Sequence, residues 1–338
     1  MGYRVTLQRL DTILDALRGE YRIFGPCMNR RTGKVRFSEF RSCSQLVTDR
    51  QSDFSPKEIY YPISQVMYYF RDGEVQEYEP EDVRPMLIFA HACDINAIRR
   101  LDSVFLKNGG QADAFYARLR ERVRFVLLEC PHSFEHCFCV SMGTNRTEDY
   151  CMALRMTGDG ALIEVRDKDF QGWLEGEEQA EYAVSFISEN EKKLRFPDIH
   201  AENIKAISQL DFWSQFDEKC IACGGCNTVC GTCSCFDTVD TRYTQGSSDG
   251  ERRRVWSSCM LRDFTLTAGG GLSRKTQGAN MRFKVFHKFY DYKARFNDGN
   301  MCVGCGRCDL RCPQGISFFD TVCALHDKLA AEEEGEGK

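Results

Sequence analysis

The stretch "CIACGGCNTVCGTCSCFD", residues 220–237, places six cysteines in eighteen residues. "CVGCGRCDLRCP", residues 302–313, repeats its spacing. In each run three cysteines recur every third residue and a fourth follows four residues on. The first run is Cys220, Cys223, Cys226 and Cys230; the second is Cys302, Cys305, Cys308 and Cys312. That is the thiolate spacing of a bacterial-ferredoxin [4Fe–4S] site. A cubane has four iron corners, each needing one thiolate. A short loop with a cysteine at every third residue reaches three of them. Gly224, Gly225, Gly304 and Gly306 let its backbone come close to the sulfides. The fourth cysteine points away and, in two-cluster proteins, ligates the other cluster. The expected ligand sets are therefore crossed: Cys220, Cys223, Cys226 and Cys312 for one cluster, and Cys302, Cys305, Cys308 and Cys230 for the other. Zinc sites use cysteine pairs separated by a longer loop, which this repeated triple does not match. One departure is Gly231, which follows Cys230 where Pro313 follows Cys312.

The linker 231–301 is long for a compact βαβ ferredoxin, and its "MRFKVFHKFYDYKARF" is helix-compatible. An all-helical two-cluster ferredoxin domain is therefore expected over 198–325. Pro197 marks the boundary before it, and 326–338 reads as a charged, disordered tail.

Residues 1–197 read as an α+β or small α/β domain. Leu7, Leu10, Ile13, Leu14 and Leu17 form a helical stripe within 3–18. "YRIFGP" reads as a strand, Ser55–Glu58 as a helix start, and "ISQVMYYF" as a further helical segment. Met86–Ala90 and "VRFVLLEC" read as short buried strands, the first followed by a helix from near Asp94. "ADAFYARLRER" is helical, and "YCMALRMTGDGALIEVRD" is a hairpin turning at Gly158–Gly160.

Both buried strands end in a cysteine, Cys93 and Cys130. If they are parallel neighbours, both thiols leave the same sheet edge, where α/β sheets bind ligands. Cys137 and Cys139 follow closely and complete a four-thiolate set, with Asp94 as a substitute for one corner. Three readings stay open: a third [4Fe–4S] cluster, a zinc site drawing on His91, His132 and His136, or core thiols without metal. Cys233, Cys235 and Cys259 stay open between replacing a crossed ligand or shielding a cluster and being buried small thiols beside the clusters.

The nineteen cysteines of this 338-residue chain occur without an apolar leader at the N-terminus. Metal ligation in a reducing, cytoplasmic setting is thus expected over disulfides. No apolar run approaches the ~18 residues that suggest a membrane span. The net charge of −5 does not suggest nucleic acid. Between Thr241 and Asn300, however, twelve Lys or Arg face five acids. That excess could offset metal–thiolate charge or meet an acidic partner. "AGGGL" at 268–272 lacks the spacing and flanking strand of a dinucleotide loop, and no P-loop is present. A chain with clusters and no two-electron site reads as a wire, not as an enzyme in its own right.

Together, "HACDINAIRRLDSVFL", "HCFCVSMGT", "DFWSQFDEKCIACGGCNTVCGTCSCFD", "RFKVFHKF" and "CVGCGRCDLRCP" resemble the A subunits of anaerobic sulfite reductases. They are also similar to the related β subunits of cytoplasmic sulfhydrogenases. The likeness runs from about Ser55 to Phe318, and "CDINAIRRLD" and "CFCVSMGT" are its most specific pieces. "FSPKEIYYPISQVMYYF" tips it towards the sulfite reductase subunit. The resemblance implies a non-catalytic electron-transfer subunit. It would relay electrons from a flavin- and NAD(P)H-binding partner to a sirohaem subunit that reduces sulfite to sulfide. In the sulfhydrogenase alternative the wire ends at a nickel–iron subunit. An alternative of another class is an enzyme reducing a sulfur substrate at the N-terminal cluster.

Overall fold

The computed structural model describes residues 2–336. Ten strands precede residue 198: β1 (Gly2–Thr6), β2 (Arg22–Asn29), β3 (Lys34–Glu39), β4 (Ser64–Arg71), β5 (Glu74–Glu77), β6 (Met86–Ala90), β7 (Val123–Leu128), β8 (Met152–Met156), β9 (Gly160–Val165) and β10 (Glu178–Ala180). Two follow it: β11 (Phe236–Arg242) and β12 (Gly250–Trp256). They form an eight-stranded sheet in the order β10-β1-β9-β8-β7-β6-β2-β3 and a four-stranded sheet in the order β11-β12-β4-β5.

The large sheet is parallel at its centre, where β6 pairs with β2 and β7, and β7 with β8. Its outer pairs are antiparallel. All five residues of β6, "MLIFA", are buried, as a central strand covered on both faces requires. Alternation assigns the faces. Leu87 and Phe89 meet Leu10, Ile13, Leu14 and Leu17 of the helix Leu7–Leu17. Ile88 and Ala90 meet Ile95, Ile98, Leu101 and Phe105 of the helix Ala92–Leu106.

The C-terminal region is not all-helical, contrary to the expectation from its sequence. β11 and β12 form an antiparallel hairpin that β4 extends. All seven residues of β11 are exposed, so no buried face imprinted a two-residue hydrophobic alternation on the sequence. Cross-strand chemistry holds it instead: Asp240 and Arg252 stand opposite each other and pair at 2.6 Å. "ISQVMYYF" supplies β4 rather than a helix. Its β-branched and aromatic residues suit a strand, and only Lys57–Tyr60 is helical before it. Likewise β1 takes the first residues of the expected N-terminal helix. The last helix runs Phe318–Glu336, through most of the expected tail; Gly337 and Lys338 lie outside the described residues.

A further apolar core joins Trp213, Phe216, Met260, Met281, Val285, Phe289, Phe318 and Val322. Cys220, Cys226, Cys302 and Cys308 lie at its margin, half-buried. The small sheet draws β4 and β5 from before Pro197 and β11 and β12 from after it, so it bridges the two halves of the chain.

Candidate iron–sulfur centres

The two cysteine runs fold alike. Cys220 caps the helix Gln215–Lys219, and Gly224 in the left-handed region (φ 69°) opens the short helix Gly225–Thr228, which carries Cys226. In the second run Gly306 (φ 68°) opens Arg307–Arg311, which carries Cys308, and Cys312 caps it. The two short helices pack against each other. Each fourth cysteine comes near the other run: Cys220 has Cys223, Cys226 and Cys312 among its neighbours. Cys302 and Cys308 each have Cys230 and Cys305, and Cys305 has Cys230. One cavity is lined by Cys220, Cys223, Cys226, Cys308 and Cys312 among apolar side chains. Burial pushes the Cys302 thiol up to about 12.

Gly231 explains its departure from the proline pattern. A Cβ there would lie 2.9 Å from the Ala97 methyl, because the helix Ala92–Leu106 packs on this turn.

The N-terminal candidates also converge. β6 and β7 are parallel neighbours with Ala90 opposite Leu127, so Cys93 and Cys130 leave the same edge. A second cavity is lined by Cys93, Cys130, Cys137 and Cys139, together with His91 and His132. His91 Nδ1 lies 3.0 Å from the Leu128 carbonyl oxygen and 3.4 Å from Cys130 Sγ, and its buried Nε2 has no partner. Asn190 donates to Cys139 Sγ at 3.8 Å, and Gln51 to Cys137 Sγ at 3.6 Å. Burial pushes the Cys137 thiol up to about 12. Among the described residues, no three His, Cys, Asp or Glu groups come together as a single metal ion requires. Asp94 turns elsewhere: its carboxylate accepts from Arg307 at 2.6 and 3.0 Å, and both side chains are fully buried. His136 sits against Lys192 at 3.4 Å.

Cys93, Cys139, Val303 and Cys305 share one small buried cluster. The set around Cys302 therefore lies between the N-terminal cavity and the set around Cys220. Cys223 is the one exposed thiol of these twelve; the others are buried or half-buried. Of the remaining thiols, Cys233 hydrogen-bonds Cys230, and Cys235 hydrogen-bonds Cys259, which also accepts from Asn227 at 3.1 Å.

Sequence reasoning passed over the buried cations. Lys57 donates to the Cys233 carbonyl at 2.8 Å and stacks 3.8 Å over the Trp256 ring. Lys288 donates to Thr232 Oγ1 at 2.5 Å and to Cys230 Sγ at 3.5 Å. Lys284 lines the Cys220 cavity together with Cys226 and Cys308. The signal was present as two lysines four apart inside the aromatic-rich "MRFKVFHKFY".

These features define an iron–sulfur protein, and residues 219–316 match the family model described as a 4Fe-4S dicluster domain. Along most of its length the chain is similar to sulfhydrogenase 2 subunit beta of Pyrococcus furiosus, 32% identical over 329 residues. The match covers 91% of this chain and 93% of that one. The chain belongs to the sulfhydrogenase β-subunit family. This favours the sulfhydrogenase alternative over the sulfite reductase subunit that the sequence resemblance preferred. No solved structure matches. No helix among the described residues is long and apolar enough to cross a membrane.

Proposed function

We propose that this chain is a cytoplasmic electron-transfer subunit of a sulfhydrogenase-type complex, passing electrons through [4Fe–4S] clusters to a nickel–iron partner. We assign Cys220, Cys223, Cys226 and Cys312 to one cluster and Cys302, Cys305, Cys308 and Cys230 to a second. Cys93, Cys130, Cys137 and Cys139 are assigned to a third. The observation that supports this reading is that Cys312 neighbours Cys220 and lines the same cavity, while Cys230 neighbours Cys302. The surroundings suit thiolate-ligated clusters: five cysteines line the Cys220 cavity, four line the N-terminal one, and amide donors such as Asn190 are aimed at sulfur. Such a cluster, when bound, supplies a one-electron carrier. The chain's own residues hold the thiolates, keep water away, and seat the middle set against the N-terminal cavity. Input from a flavin- and NAD(P)H-binding subunit belongs to the same reading.

The test is iron and acid-labile sulfide per chain on protein purified without oxygen. About twelve of each supports three clusters, and about eight leaves the C-terminal pair, at four irons per cubane. Fewer than that overturns the assignment. For the partner, the complex is pulled down from its native cell and supplied with a viologen dye. Hydrogen-dependent dye reduction supports this reading; sulfite-dependent dye oxidation without hydrogenase activity returns the sulfite reductase alternative.

A further inference from the structure

Lys284 and Lys288 are 4% and 3% exposed, although each carries an ammonium group. Both belong to one continuous helical rod, Gln277–Phe286 leading into a π-turn at His287–Asp291. Residues four apart share a face of a helix, and π-turns inside helices often mark functional sites. Among the described residues neither lysine has a carboxylate in ion-pair reach. Thiols surround both: Lys284 shares a cavity with Cys226, Cys308 and Cys312 and lies over the Phe318 ring, and Lys288 donates to Cys230 Sγ at 3.5 Å and to Thr232 Oγ1. A buried ammonium without a counter-charge is costly. The thiolate sets are the anions within reach.

We propose that Lys284 and Lys288 are potential-setting residues, each raising the reduction potential of the cluster whose cysteines it touches. Lys284 serves the set containing Cys226, and Lys288 the set containing Cys230 and Cys302. The inference rests on the cluster assignment above. The physics is a fixed charge. One-electron reduction adds one negative charge to the centre, and no proton moves. A cation at hydrogen-bond distance to a ligand sulfur favours the reduced form, more strongly where water is excluded. The two sets abut, so Lys284, which also faces Cys308, acts secondarily on the other cluster.

The experiment is an EPR-monitored redox titration, with dithionite as reductant, of the full-length holoprotein purified without oxygen. Lys288→Met should lower one midpoint by at least a tenfold change in its reduction equilibrium, about 59 mV for one electron. Lys284→Met should lower mainly the other midpoint, and Lys→Arg at either position should hold it. Full iron content with both midpoints unmoved in the Met variants overturns the proposal. Where a Met variant loses iron, Gln removes the charge and keeps a donor; an unmoved midpoint there overturns it equally. Iron lost from every neutral variant and kept in both Arg variants also overturns it, leaving the lysines an assembly role. A wild-type protein with no cubane signal is a different failure: it refutes the cluster assignment itself, and the role of the lysines falls with it.

Discussion

The two cysteine runs share a spacing and a backbone but not their surroundings. Position by position, "CIACGGC" aligns with "CVGCGRC". Ala222 corresponds to Gly304, and both are left-handed, at φ 58° and 65°. Gly225 corresponds to Arg307, and the exposed Cys223 to the buried Cys305. The second run is strapped by the segment after β7: Phe138 N–H donates to the Gly304 carbonyl at 2.8 Å, and Thr144 Oγ1 to the Val303 carbonyl at 2.6 Å. Among the described residues, no comparable hydrogen bond from another segment reaches 221–225 of the first run. A motif repeated for its chemistry is thus specialised by what packs on it, one copy facing inward to the N-terminal cavity and one facing water.

The largest expected effect is all-or-none. With crossed ligation, Cys312→Ser removes the exposed cluster and Cys230→Ser the buried one. Of the two C-terminal clusters, the one surviving in Cys312→Ser should then bleach slowly with ferricyanide, and the one surviving in Cys230→Ser quickly. The reverse order would break both the crossing and the contrast in exposure.

Next comes Arg307, which the first run replaces with glycine. It ties the second run to Asp94 and to Ser52, whose carbonyl and hydroxyl accept at 2.9 and 2.8 Å. Removing one partner of a buried ion pair strands the other charge. Arg307→Met should therefore cost about 3–5 kcal/mol in anaerobic denaturant titration. The double variant with Asp94→Leu should recover most of that loss. Equal losses for single and double variants would mean that Ser52, not the ion pair, holds the run in place.

A smaller difference separates the glycines. A Cβ on Gly304 would lie 2.6 Å from the Phe138 carbonyl oxygen, and one on Gly306 would strike the His136 carbonyl. On Gly224 it would meet side chains alone, Ser258 at 3.0 Å and Leu261 at 3.3 Å. Backbone yields less than a side chain. Gly304→Ala should thus lose about 2–4 kcal/mol, combining the left-handed penalty with overpacking. Gly224→Ala should lose less, about 1–2 kcal/mol from the backbone penalty alone. Matching losses would show that the strap gives way.

Much of this was legible from spacing. The cysteine runs carried the motif, and the apolar runs of β6 and β7 fixed the central sheet and the edge from which Cys93 and Cys130 leave it. What stayed hidden has physical causes. β11 is exposed along its whole length, so it left no alternation to read. "ISQVMYYF" carries apolar residues that either period can accommodate, and only its partner β12, remote in sequence, decides for a strand. Asp94 read as a ligand because it adjoins Cys93, while its partner Arg307 lies more than two hundred residues away. Lys284 and Lys288 were legible only as part of a basic excess that could offset metal–thiolate charge; which of its cations are buried shows only once the thiols around them are in place.

The smallest effect tests whether the exposed run is strained. Ala222 holds a left-handed backbone that costs an L-residue roughly 1–2 kcal/mol, at the residue whose N–H points to the Cys220 thiol. Gly304 adopts the same φ without that penalty but is held in place by Phe138. If the first run keeps its shape by ligation rather than by packing, Ala222→Gly should relieve the strain. The relief is partly offset by the greater freedom of glycine in the unfolded chain, leaving a net gain of at most about 1 kcal/mol. The comparison sharpens when the variant is measured with and without iron. A gain present in both states places the strain in the chain's own fold. A gain confined to the iron-loaded protein places it in the demand of the ligand loop. A loss in both would mean that the Ala222 methyl makes a contact worth more than the strain, and the first run would then be packed after all.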